Sequence, residues 1–284
     1  MFELVHAERE ELSVAQACRT LGVSRSGYYR WLNAPPPSAD KAERRLEAEV
    51  RAIHSEHRGR YGSPRVHREL AGRGIRVGRK RVARVMRRLG LRGKTPRRFR
   101  HTTNSNHKHR IAKNLLERDF TSSAPNIVWV GDITYVPTSD GWLYLAILMD
   151  LFSRRVVGWA MSDTIDTELA LTALDMAVRR RRPAPGLIHH TDRDCRYASD
   201  DYQTALADHE MTPSMSGKAD CWDNAVAESF FATLEKELLG ISSLMPRAQA
   251  RTTIADYIEN YYNDVRRHSY INYATPLEHE LTVC

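Results

Sequence analysis

Three acids stand where a charge needs a reason. Asp132 interrupts the apolar run "IVWVGDITYVP", Asp192 closes "GLIHHTD", and Glu228 lies in "DNAVAESFFATLEKEL". A carboxylate inside a β-branched run is costly unless something pairs with it. Asp192 follows a short apolar run, at the strand end where open sheets gather ligand-binding groups. Glu228 borders a stripe of Ala227, Phe230, Phe231, Leu234 and Leu238 at three- and four-residue steps, the pattern of a helix with one buried face. Ala225 and Ala232 leave room beside it. Three converging carboxylates repel one another unless cations lie between them. Hard oxygen donors suit Mg²⁺ or Mn²⁺. Two such ions about 3.5–4 Å apart stabilise the entering and leaving oxygens of an in-line phosphoryl displacement. The expectation is therefore a two-ion phosphoryl-transfer site on Asp132, Asp192 and Glu228, with His190 and Asn224 in support. Asp223 reads as a helix cap, and Asp150 as a strand-end cap or a further supporting carboxylate.

Elements that could bring these acids together follow from the texture beyond Ile127. "IVWVGDITYVP", "WLYLAILMDLFS" and "RRVVGWAMS" are apolar, aromatic runs, the first two parted by the turn signal Ser139-Asp140-Gly141. A helix begins at Asp166 and ends by Pro183. Strand "GLIHH", helix "SDDYQTALADHE", strand "MTPSMS" and the Glu228 helix complete the order. Three hairpin-linked strands followed by helix-linked strands predict an α/β fold: a mixed five-stranded sheet of the ribonuclease H-like type with helices on both faces. This core is assigned to residues 126–284, with a C-terminal helical extension. Trp142, Tyr144 and Trp159 read as core.

The net charge of +8 is unevenly spread. Residues 1–120 carry 29 Lys+Arg against 12 Asp+Glu, whereas residues 121–284 carry 14 against 23. From Arg58 to Lys113 there are 20 basic residues and one acid, Glu69. Such a run fits a polyanion, because neutralising phosphates releases counterions. Residues 1–34 read as a helix-turn-helix-like module: Ser13 and Ser24 cap two helices about Gly22, and Arg25, Tyr29 and Arg30 face DNA. Residues 40–92 read as a second basic helical module, with Arg65, Arg79, Lys80 and Arg81 as contacts. Residues 93–125 read as a basic tether carrying Arg97 and Arg98, mobile until it lies on phosphates. His101, His107 and His109 in that stretch read as phosphate contacts or solvated groups. No apolar run is long enough to span a bilayer, and the N-terminus is no secretory signal. Four scattered cysteines fit a reduced, cytoplasmic setting.

The motifs "LGVSRSGYYRW", "YGSPRVHREL", "WVGDITYVP", "YLAILMDLFSRRVVGW", "HHTDRDCRYAS", "SMSGKADCWDNAVAESFFATL" and "YYNDVRRHSYINYATPLE" run almost end to end. Together they resemble the transposases of the insertion-sequence-three family, in particular its second-frame product with an integrase-type catalytic core. The resemblance implies helical DNA-binding modules and a divalent-metal Asp-Asp-Glu site on Asp132, Asp192 and Glu228; Arg266, within its C-terminal motif, reads as a phosphate contact or a helix-end surface residue. The resemblance also implies 3′-end cleavage and strand transfer on DNA, action as a homo-oligomer on element ends and target, nucleoid association, and cooperation with an upstream-frame product. A metal-dependent nuclease of the same fold and an inactive DNA-binding regulator are the alternatives. The chain departs from the family pattern at Asp194 and Asn272, where glycine is usual, and at Glu235, where lysine is usual.

Overall fold

The computed structural model describes residues 1–10, 12–33, 38–94, 109–217, 221–239 and 244–282. The chain divides into two compact units, Met1–Arg92 and Gly93–Cys284.

The first unit is helical. Helix α1 spans Phe2–Ala7, α2 Val14–Thr20 and α3 Arg25–Leu32. Ser13 caps α2 in a reciprocal box with Gln16, and the Ser24 hydroxyl accepts from Gly27 N–H at 3.0 Å. Val5, Ala17, Cys18 and Tyr28 bury together, so α1, which composition alone did not reveal, closes the small core of the helix-turn-helix. Helix α4 covers Ser38–Glu56, α5 Ser63–Gly72 and α6 Arg79–Arg88. Pro64 sits in the first turn of α5, where its missing N–H costs nothing. Val82, Val85 and Met86 form the buried face of α6.

The second unit is built on a five-stranded sheet of order β3-β2-β1-β4-β5. Strand β1 spans Val128–Thr138, β2 Gly141–Asp150, β3 Val156–Ser162, β4 Ile188–Thr191 and β5 Thr212–Met215. The first three pair antiparallel, while β4 lies parallel to β1 and to β5. Gly141, at φ +107°, makes the β1–β2 turn possible. Helix α7 spans Thr167–Arg181, α8 Asp200–Asp208, α9 Ala225–Glu237, α10 Arg247–Asp256 and α11 Pro276–Glu280, with a π-helical turn at Tyr257–Tyr262. The Asp166 carboxylate caps α7 by accepting from Leu169 N–H at 3.0 Å. A side chain at Gly158 would meet the Ala173 carbonyl at 2.3 Å, so glycine lets α7 lie directly on β3.

Alternation along β1 divides the core. Val128, Val130 and Val136 pack with Ala227, Phe230, Phe231 and Leu234 of α9 and with the α10 region. Trp129 packs on the other face with α7 and α8 residues. This is the expected α/β mixed sheet. Two expectations are corrected. Residues 109–125 were read as tether, yet Leu116 is buried in the core, Leu115 N–H donates to Ser214 Oγ at 3.0 Å, and Met215 N–H donates to the Lys113 carbonyl at 3.4 Å. Hydrogen bonding to β5 outweighs the polar composition there. Trp142 is 52 % exposed rather than core, because it opens β2 at the hairpin end and leans edge-on against Tyr135.

Candidate active site

Asp132 is the even-numbered neighbour of Val130 on β1, so it faces the α9 side of the sheet. Gly131 is in register with Thr191, the last residue of β4. Asp192 therefore continues β4 alongside Asp132 and shares its facing. Glu228 lies in the first turn of α9, whose apolar stripe is seated on β1. All three acids are half-buried.

Their charges interact. Burial pushes the Asp132 carboxyl well above the usual carboxylate range, and repulsion from Asp192 adds to it. Glu228 and Asp194 contribute further repulsion, while the Ile133 N–H, 2.8 Å from Asp132 Oδ1, works in the opposite direction. Among the described residues no group of three or more His, Cys, Asp or Glu side chains lies close enough together to hold a metal ion. The donor set still matches a hard divalent cation: carboxylate oxygens in a partly desolvated place, with no thiolate.

His190 and Asn224, the residues expected in support, are both buried. His190 is buried; its Nε2–H donates to the Asp223 carbonyl at 3.1 Å, which leaves Nδ1 to accept from Ser214 Oγ at 2.8 Å. Burial holds its pKa below the ordinary histidine value. It joins β4 and β5 to the segment leading into α9. Asn224 is buried at the start of α9, and its Oδ1 has no hydrogen-bond partner. Asp223 does not cap α9 as expected. Its carboxylate accepts from Gly217 N–H at 2.7 Å and Asn114 Nδ2 at 2.9 Å, and pairs with Arg118. Asp150 is a strand-end cap, accepting from Asn126 N–H and Ser153 N–H.

Arg266 was expected on phosphate. It is instead 5 % exposed, and its guanidinium grips Glu237 at the end of α9 through bonds of 2.9–3.1 Å. An arginine so enclosed cannot reach a DNA backbone. Asn263 also serves structure: its amide bonds both the N–H and the carbonyl of Val156, each at 3.0 Å. Asn272 holds φ +52°, a conformation asparagine tolerates in place of glycine.

Of the residues expected to face DNA, Arg25, Tyr29 and Arg30 are exposed on α3, and Arg79 and Lys80 on α6. Arg65 is half-buried against Tyr61. Arg81 is drawn onto Glu43, while Arg88 bonds both Glu43 and Glu47. Sequence reasoning missed Arg84 and Arg87, which are exposed and share a face with Lys80 at three- and four-residue steps. That spacing, opposite Val82, Val85 and Met86, was the available signal. Arg97, Arg98, His101 and His107 lie outside the described residues. Replacing Lys80, Arg84 and Arg87 by alanine is expected to lower the slope of log affinity against log salt by roughly 2–3. Replacing Arg81 and Arg88 should lower it by less than about 1, because each already has an acidic partner. Binding to duplex DNA across a salt series checks both.

With this geometry the class is an integrase core behind a helical module. Integrase core domain families match residues 122–221 and 209–276, and an HTH-like domain family matches residues 41–99. The chain is 40% identical over 281 residues to the transposase InsF for insertion sequence IS3A of Escherichia coli (strain K12), covering 98% of each. It is 45% identical over 259 residues to the insertion element IS600 uncharacterized 31 kDa protein of Shigella sonnei, covering 91% of this chain and 95% of that one. It belongs to the family of IS3-type insertion-sequence transposases. The HTLV-2 integrase catalytic core domain, solved in complex with magnesium, aligns over 56% of this chain and 98% of that one at 18% identity and a TM-score of 0.42. Among the described residues no helix is long and apolar enough to cross a membrane.

Proposed function

We propose that this DNA transposase works through Asp132, Asp192 and Glu228 as the ligands of divalent cations, Mg²⁺ or Mn²⁺, with two ions per site. The observation that carries the reading is the meeting of β1, the end of β4 and α9 on one face of the sheet, with Glu228 in the first turn of that helix. Bound ions would stabilise charge on the entering and leaving oxygens of an in-line displacement at phosphorus. The protein's own share is placement. The β1–β4 register supports a place for Asp132 beside Asp192, and the α9 stripe packed on the same sheet face supports the approach of Glu228. His190 and the Asp223 segment hold the start of α9. In the first reaction a water oxygen displaces one strand's 3′-oxygen from phosphorus at an element end, leaving a 3′-hydroxyl. In the second, that hydroxyl oxygen displaces the corresponding oxygen of another phosphodiester, joining the strands.

The exposed bases of α3 and α6 would hold the DNA. Two ends must be held at once, which calls for at least a dimer on DNA, and end recognition would draw on an upstream-frame product. The setting is the cytoplasm, at the nucleoid. The test is incubation of the full chain, and of Glu228→Gln beside it, with its terminal DNA and Mg²⁺ or Mn²⁺. Cleaved and joined product from the wild type, lost in the variant, is expected. Cleavage without joining, even with the upstream-frame product supplied, would replace the transposase reading with a nuclease.

A further inference from the structure

Asp194 brings a fourth carboxylate to the edge of this site. It is 3 % exposed, and its backbone N–H donates to Asp192 Oδ1 at 3.1 Å. The residue that orients one site carboxylate therefore carries a charge of the same sign, and that charge adds to the repulsion on Asp132. Arg196 answers it. The Arg196 guanidinium bonds Asp194 Oδ2, and the Arg196 backbone N–H donates to Asp194 Oδ1 at 3.0 Å. The pair is largely withdrawn from water, with side chains 13% and 5% exposed. The Arg196 Nε is buried without a hydrogen-bond partner, so the guanidinium is held for its charge at some cost in solvation. The Ala198 N–H closes the turn onto the Asp194 carbonyl at 3.2 Å, keeping both residues in one tight loop.

We propose that Asp194 and Arg196 form a neutral strut. Asp194 is a positioning residue for Asp192, and Arg196 offsets its charge so that arriving cations meet the three site carboxylates without the field of a fourth. This rests on the divalent-ion site proposed above. A field acting on a divalent cation has a sign, so the two halves of the strut have opposite effects. Arg196→Ala removes the positive charge bonded to Asp194 and tightens cation binding. Asp194→Asn leaves the guanidinium uncompensated and weakens it. The double variant returns towards wild type.

The experiment is Mn²⁺ titration of the metal-stripped full chain, followed by thermal unfolding. The expected shift in half-saturating Mn²⁺ is roughly three- to tenfold in opposite directions for the two single variants, the scale of one nearby charge in partly desolvated protein. Arg196→Lys keeps the charge and should stay within about twofold of wild type. The metal-free transition reports whether each variant is folded. Single variants that shift Mn²⁺ binding in the same direction, or a double variant no closer to wild type than either single, would overturn the strut. Asp132→Asn separates the two readings. A Mn²⁺ response lost in Asp132→Asn supports the ion site whatever the strut variants do. A response that survives it, or is absent from the wild type, overturns the ion site and the strut with it.

Discussion

Asp132→Asn should abolish strand cleavage and joining while making the metal-free protein more stable. Loss of a cation ligand removes several kcal/mol of transition-state stabilisation, which corresponds to a rate loss of at least about 10³-fold. Stability moves the other way because burial and the repulsion of Asp192 and Glu228 disfavour the charged form of Asp132. A carboxyl whose folded pKa is raised stabilises the fold below its unfolded pKa, and that contribution is lost as pH rises through the folded value. The wild type without metal should therefore lose stability as pH rises through the raised Asp132 pKa, and the Asp132→Asn variant should not. At neutral pH the variant should gain about 1–2 kcal/mol, or roughly 2–8 °C in the unfolding midpoint. Divalent ions should reverse the order by stabilising only the wild type. Thermal unfolding at several pH values, with and without Mn²⁺, checks the signs. A variant less stable than wild type at neutral pH without metal would contradict the convergence of the acids.

The second large effect concerns Arg266. Its charge is held in spite of burial by Glu237, which also accepts from Tyr257 OH at 2.8 Å. Arg266 lies 5.5 Å from the centre of the Tyr262 ring and bonds His268. Removing the guanidinium leaves Glu237, which is fully buried, without its counter-charge. Arg266→Met should cost about 3–5 kcal/mol. Arg266→Met with Glu237→Leu should cost clearly less, since an apolar pair leaves no buried charge unpaired. Chemical denaturation of the wild type, the two single variants and the double variant gives the coupling. Additive losses would show that the pair is not the unit that locks the C-terminal extension onto α9. Because Glu228 and Glu237 share that helix, Arg266→Met should also lose activity at temperatures where it stays folded.

Local patterning made much of this legible. A continuous apolar, β-branched run located β1 and placed Asp132 within it, helical spacing placed Glu228, and Ser13 and Ser24 announced the helices they cap. Strand order followed from the sequence of runs and from the need to cover both sheet faces. What stayed hidden depends on partners distant in sequence. Arg266 looks like a surface cation until Glu237, 29 residues earlier, is folded beside it. Arg81 and Arg88 look equivalent to Lys80 and Arg84 until α4 brings Glu43 and Glu47 to them. Asp223 occupies a capping position but is taken by Asn114 and Gly217. Residues 109–125 read as tether because their apolar residues, among them Leu116 and Phe120, follow no periodic pattern, and their hydrogen bonds go to β5.

The central claim is that three carboxylates from β1, the end of β4 and α9 hold divalent cations together. Anomalous diffraction from crystals of the full chain grown with Mn²⁺ tests it most directly. Mn²⁺ peaks bounded by the carboxylates of Asp132, Asp192 and Glu228 are expected, and their loss in crystals of Asp132→Asn. Ordered Mn²⁺ elsewhere on the chain, with those three carboxylates left unliganded, would contradict it.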